Sequence, residues 1–115
     1  IVIVEEAGEI LESHVLANLG NSCEQLIMIG DHKQLRPKID NYRLQKESSN
    51  GFNLNVSLFE RLVIAPASKI PVIPLTVQHR MRPEISRIIR GMALYASLED
   101  HETTNGRDHV SGVAN

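Results

Sequence analysis

The chain has 115 residues, enough for one small domain with a usable core, and 42% of them are apolar, which excludes a disordered or fibrous class. A formal net charge of −2 carries no whole-chain signal for nucleic acid, and the single cysteine, Cys23, excludes a disulfide framework or a cysteine-built zinc site. No apolar run approaches the roughly 20 residues that a membrane-spanning helix needs, so no membrane partner is expected.

The charge is unevenly spread. Glu5, Glu6, Glu9, Glu12 and Glu24 fall within a stretch lacking Lys and Arg, whereas basic residues gather at Lys33, Arg36 and Lys38 and again at Arg80, Arg82, Arg87 and Arg90. With few aromatic residues, the core must be aliphatic. The opening run is too short and too soon acidic for a signal peptide. A core strand at position 1 without an initiator Met reads as a piece of a longer protein. The lone cysteine suits a reducing, intracellular compartment.

Ile1-Val2-Ile3-Val4 predicts a β-branched strand buried on both faces, as in a parallel sheet. Residues 9–19 predict a helix with Leu11, Val15 and Leu19 on one stripe and Gly20 as its cap. Leu26-Ile27-Met28-Ile29 predicts a second strand, so the first 30 residues form a βαβ unit. Residues 36–56 are polar and read as a surface loop or insertion. Ser57-Leu58-Phe59-Glu60 has capping-box spacing and starts a helix to about Ile64. Val72 to Val77 is a third strand candidate, with Pro74 arguing for an edge or a shorter strand. Pro83 opens a helix whose stripe of Ile85, Ile88, Ile89 and Met92 is expected to pack in the core. Residues 99–115 read as a linker or unpaired segment.

Three runs carry candidate chemistry, each placed just after a predicted strand. At the carboxyl edge of an open α/β sheet, where ligands bind, Val4-Glu5-Glu6-Ala7 presents adjacent carboxylates. One can hold Mg²⁺ through water and the other can orient or deprotonate an attacking water. The alternative is two solvated acids leading into a helix, where its dipole favours them. In Gly30-Asp31-His32-Lys33-Gln34-Leu35-Arg36-Pro37, Gly30 permits a tight turn, Asp31 can cap it, and the Gln34 amide can reach a phosphate oxygen or a water. The alternative there is an Asx turn with no ligand. In Gln78-His79-Arg80-Met81-Arg82-Pro83, an arginine after a strand can stabilise charge on a γ-phosphate, or simply precede a helix at the surface. His14, His32, His79, His101 and His109 lack mutual i, i+4 spacing and cysteine companions, so metal binding by them is not expected.

Together and in this order, the runs resemble superfamily 1 helicases of the Upf-like group, over roughly residues 1–98. The Glu5–Glu6 run is similar to their Walker B motif, Gly30 to Pro37 to motif III and Gln78 to Pro83 to motif IV. The runs His-Lys-Gln-Leu-Arg-Pro and Gln-His-Arg-Met-Arg-Pro-Glu-Ile resemble the branch of zinc-finger-bearing and RNAi-heterochromatin helicases. The resemblance implies an α/β fold, a truncated RecA-like parallel sheet of the P-loop NTPase type. It implies ATP as substrate, Mg²⁺ as cofactor, single-stranded RNA as partner and a place in RNA-silencing or RNA-decay complexes. Glu5 would take the Mg²⁺-associated position and Glu6 that of the catalytic carboxylate. Gln34, Gln78 and Arg80 would form the nucleotide-binding set, with Gln78 close by in support of the same pocket and Arg80 also catalytic. Residues 1–82 would be the latter half of the first RecA-like domain, 83–98 a helix leading out, and 99–115 a linker or the start of a second domain.

Two departures bear on the expectation. Most of the superfamily has Asp where Glu5 stands, and the extra methylene moves the carboxylate by about 1.5 Å. No Gly-x-x-x-x-Gly-Lys-[Ser/Thr] phosphate loop occurs in these residues. The isolated chain is therefore expected not to hydrolyse ATP. A regulatory scaffold with a degenerate ATPase and a DNA-directed relative remain open on these residues. A nuclear rather than cytoplasmic site is implied by the resemblance alone.

Overall fold

The computed structural model describes residues 1–67, 69–92 and 94–107. The expectations for residues 108–115, His109 included, lie outside the described residues. The fold is α/β, and the chain comprises two units, Ile1–Val72 and Ile73–Asn115.

In the first unit, β1 (Val2–Val4) and β2 (Leu26–Met28) pair in parallel, Val2 opposite Leu26 and Val4 opposite Met28. The β-branched run at the start favours this extended state. Burial alternates along both strands: Val2, Val4, Leu26 and Met28 are half-buried, and Ile3 and Ile27 are exposed. The expectation of cover on both faces is thus corrected for the described residues, because two strands and one short crossover helix cover a single face.

That crossover helix, α1 (Glu12–Asn18), is shorter than the 9–19 expected. Residues 5–10 are taken up in turns, the amide of Glu9 closing back on the Glu6 carbonyl at 2.9 Å. Val15 is its buried residue, and Leu19, not Gly20, occupies the C-cap. Gly20 does not adopt the left-handed cap expected of it; Gly51 is the described glycine with positive φ.

Residues 36–56 are irregular, with short 3-10 turns at Tyr42–Leu44 and Lys46–Ser48. Helix α2 (Leu58–Ile64) starts where the capping signal places it, Ser57 Oγ accepting from the Glu60 amide at 3.0 Å. Only half of the capping box forms, since the Glu60 carboxylate turns to Arg36 instead of back to the cap.

In the second unit, β3 (Val77–Gln78) and β4 (Glu99–Asp100) pair in parallel through the crossover helix α3 (Pro83–Gly91). The 72–77 strand expectation is corrected to its last residue and the one following. Pro71 and Pro74 lack the N–H that a ladder uses, and Ile73 and Leu75 are exposed. Pro83 starts α3 as expected. Its apolar stripe is not core: Ile88 is 66% and Met92 64% exposed, and the residue of α3 that is buried is Ser86. Nor is the polar segment after residue 98 unpaired, because Glu99 and Asp100 form β4 and Thr104 in the following 3-10 turn is buried. Helix α3 accordingly lies in the crossover of a β3–α3–β4 unit.

Candidate functional site

The ends of β1 and β2 are held in unusually close register. Ile29 donates its amide to the Val4 carbonyl at 2.8 Å, and its own carbonyl accepts from Ala7 at 2.9 Å. A regular parallel ladder returns to the second residue after Val4, which is Glu6; here one extra residue is accommodated, a bulge at the end of β1. Glu6 absorbs the distortion with φ of 50°, a left-handed conformation uncommon for a residue bearing a Cβ. Ala7 and Gly8 that follow are buried. A Cβ on Gly8 would lie 2.6 Å from the Asp31 carbonyl oxygen, and one on Gly30 would lie 2.8 Å from the Gly8 nitrogen. Both glycines are therefore demanded by backbone touching backbone.

Glu5 and Glu6 are both exposed, and among the described residues neither carboxylate has a hydrogen-bond or ion-pair partner. Two hard oxygen donors on a fixed backbone suit Mg²⁺, which keeps most of its waters and takes one or two carboxylates. The described residues form no group of three or more His, Cys, Asp or Glu able to enclose a metal. The donor set thus fits a largely hydrated ion, to which a carboxylate such as that of Glu5 would contribute one oxygen.

The loop after β2 begins with an Asx turn. Asp31 Oδ1 accepts from the Lys33 amide at 2.9 Å, and Asp31 Oδ2 accepts from Gln34 Nε2 at 2.7 Å. The exposed Gln34 amide keeps its Oε1 and a second N–H for a ligand.

Arg36, from the same run, is committed elsewhere. It forks onto Glu60, Nε to Oε2 at 2.7 Å and Nη2 to Oε1 at 2.6 Å, and reaches Glu47 through Nη1 at 2.6 Å. Asn55 completes the cluster, donating to Glu47 at 2.8 Å and accepting from the Lys46 amide at 2.7 Å. Hydrogen bonds from Arg36 hold the Glu60 carboxyl below its ordinary range, and Glu60 in turn raises the Arg36 guanidinium. Sequence reasoning missed this cluster, although the capping-box Glu60 and the motif Arg36 were both in view. A surface cavity of about 510 Å³ near Phe52, Arg61 and Pro66 holds none of the expected site residues.

In the second unit, Gln78 and Asp100 stand opposite each other in the β3–β4 register. Gln78 Nε2 donates to Asp100 Oδ1 and to the Met81 carbonyl, both at 2.7 Å. Its Oε1 accepts the amides of Arg80 at 2.8 Å and Met81 at 2.6 Å. Both donors and both acceptor positions of that amide are used within the fold, where Gln78 shapes the loop that carries Arg80. Arg80 is exposed on this loop, its guanidinium without a partner among the described residues. Arg82 and Arg90 differ: Arg82 meets Glu84 and the Arg107 carbonyl, and Arg90 meets Asp100 at 3.0 Å. Hydrogen bonding from Ser86, then from Gln78, keeps the Asp100 carboxyl below its usual range. The rings of His79 and His101 lie 4.1 Å apart. Asp100 was invisible as a site residue because the sequence around it reads as a linker.

Residues 1–41 match the family model of an AAA domain. NFX1-type zinc finger-containing protein 1 of Mus musculus is 49% identical over 114 residues, 99% of this chain and 6% of that protein. Helicase required for RNAi-mediated heterochromatin assembly 1 of Schizosaccharomyces pombe is 39% identical over 98% of this chain and 10% of its own length. The Regulator of nonsense transcripts 1 homolog of Neurospora crassa is 36% identical over 92% of this chain and 9% of its own. The chain thus spans a tenth or less of each of these relatives. Similarity along nearly all its length to these proteins, with an α/β fold, identifies the chain as a segment belonging to the Upf-like superfamily 1 helicase family.

Proposed function

We propose that the protein containing this chain is an ATP-dependent RNA helicase, in which hydrolysis drives movement along or remodelling of single-stranded RNA. The observation that carries the reading is the bulged end of β1, which leaves two adjacent carboxylates without partners among the described residues, beside the Gln34 loop. Glu5 would hold hydrated magnesium, and Glu6 accepts the proton of the attacking water. Magnesium, when bound, supplies charge neutralisation on the phosphate oxygens. Gln34 hydrogen-bonds the γ-phosphate or the water, and Arg80 stabilises charge on the transferred phosphoryl group. The phosphate cradle comes from outside these residues, so the isolated chain has no turnover.

RNA is favoured over DNA because relatives are named for RNAi-mediated heterochromatin assembly and for nonsense transcripts. The same names support association with RNA-silencing or RNA-decay complexes, and a nuclear site accords with the former. Contacts to such a strand run mainly to phosphates and stacked bases, so sequence preference is weak. The test is ATP hydrolysis by the full-length protein with magnesium, alone and with single-stranded RNA or DNA. RNA-stimulated turnover is expected. Absence of turnover supports a scaffold instead, and stimulation by DNA alone supports a DNA-directed enzyme.

A further inference from the structure

We infer that Gln78 and Asp100 form a positioning pair that sets the main chain carrying Arg80, acting on hydrolysis through that arginine and not by contact with nucleotide. The inference rests on the role proposed above for Arg80, and every contact it uses lies within the second unit.

The argument begins with register. Gln78 and Asp100 are paired residues of β3 and β4, so their side chains rise on the same face, the arrangement in which cross-strand groups meet. The main chain fastens the same place, the His101 amide donating to the Gln78 carbonyl at 3.0 Å. From this anchor the Gln78 amide does what a turn's own backbone would do. It receives the amides of Arg80 and Met81 and donates to the Met81 carbonyl, leaving the short segment after β3 few other conformations. Only the second N–H of Gln78 reaches outside this loop, and it goes to Asp100.

Asp100 is itself fixed. Its side chain is largely buried, and Arg90 of α3 reaches its Oδ2 at 3.0 Å. Asp100 thereby ties the helix after the Arg80 loop to the strand before it. The contrast with the neighbouring arginines supports the assignment. Arg82 and Arg90 spend their guanidinium groups on the fold, whereas the loop that Gln78 shapes presents a guanidinium with no partner among the described residues. Displacing a group of this kind by about 1 Å costs on the order of 10²-fold in rate.

The experiment is a double-mutant cycle in the full-length protein, with kcat for ATP, KM and nucleotide affinity measured for each variant. Gln78→Met keeps the length of the side chain and removes all four hydrogen bonds. R80A is expected to lower kcat by at least about 10²-fold, and Q78M by about 10- to 100-fold with KM changed less than about threefold. Combined with R80A, Q78M is expected to cause no further loss, because its effect passes through the missing guanidinium. Asp100→Asn retains an oxygen for Gln78 and is expected to keep most of the activity, whereas Asp100→Leu falls with Q78M. Should Q78M not fold, D100L in the same cycle carries the same expectation. An undiminished kcat in Q78M and D100L, or losses that multiply with that of R80A, overturns the inference. Normal hydrolysis by R80A instead overturns the role assigned to Arg80, and so separates that failure from this one.

Discussion

The amide of Ala7 donates to the carbonyl of Ile29, one residue further along the chain than the ladder from Val4 requires. This single displacement goes with Glu6 in the left-handed region at the end of the strand. It also brings the two strand-end loops into backbone contact at Gly8 and Gly30.

A first prediction concerns those glycines. In G30A the new Cβ meets the nitrogens of Gly8 and Ala7 at 2.8 and 2.9 Å, neither of which can swing aside as a side-chain tip can. The Glu5–Glu6 segment must shift as a whole. G30A is expected to lose about 1–3 kcal/mol of stability by denaturant unfolding, as overpacking does, and to reduce hydrolysis beyond what that loss explains. G20A, with open space around its Cβ, is the control and is expected to leave both measurements unchanged.

The Arg36 cluster gives a second. Glu60 is 3% exposed and keeps its charge because Arg36 forks onto both its oxygens, with Lys46 3.4 Å from one. R36L leaves that carboxylate with the lysine alone and is expected to cost about 2–3 kcal/mol. R36L/E60L together are expected to cost less than R36L alone, since no buried charge is then stranded. Thermal or denaturant unfolding of all three proteins decides it, and equal losses in the single and double variants count against the account.

Acid sensitivity follows from the same pair. The folded-state pKa of Glu60 is depressed, so its contribution is fully present above the unfolded value of about 4.3 and is lost as pH falls through the lower, folded value. Unfolding measured from pH 6 downward is expected to show stability declining below about pH 4.5, with a shallower decline in E60Q. Identical slopes in the two proteins would contradict the assignment of this acid limb to Glu60.

The residues differ in how much of this they disclose as sequence. Ile1 to Val4 and Leu26 to Ile29 announce parallel strands because β-branched and aliphatic runs ending in polar residues have few other uses. Ser57 and Pro83 announce helix starts because their signals are local. The bulge at Glu6 is not local. It arises from contact between Gly8 and Asp31, more than 20 residues apart, and no periodicity encodes it. The stripe on α3 misleads for a related reason: spacing gives an apolar face but not what covers it, and Ser86 is the residue the fold buries there. Asp100 stays hidden in a polar segment until the pairing of β3 with β4 sets it against Gln78. Gln34, Gln78 and Arg80 were legible as candidates, whereas the hydrogen bond from Gln78 to Asp100 was not, because it depends on that same pairing.

The most direct measurement is ATP binding and hydrolysis by the full-length protein carrying Glu6→Gln. The substitution removes the carboxylate proposed to take the water's proton and keeps the side chain's size. Nucleotide affinity is expected to stay within about threefold, while hydrolysis falls by about 10²–10⁴-fold, the range for a lost general base. Hydrolysis at the unsubstituted rate contradicts the account.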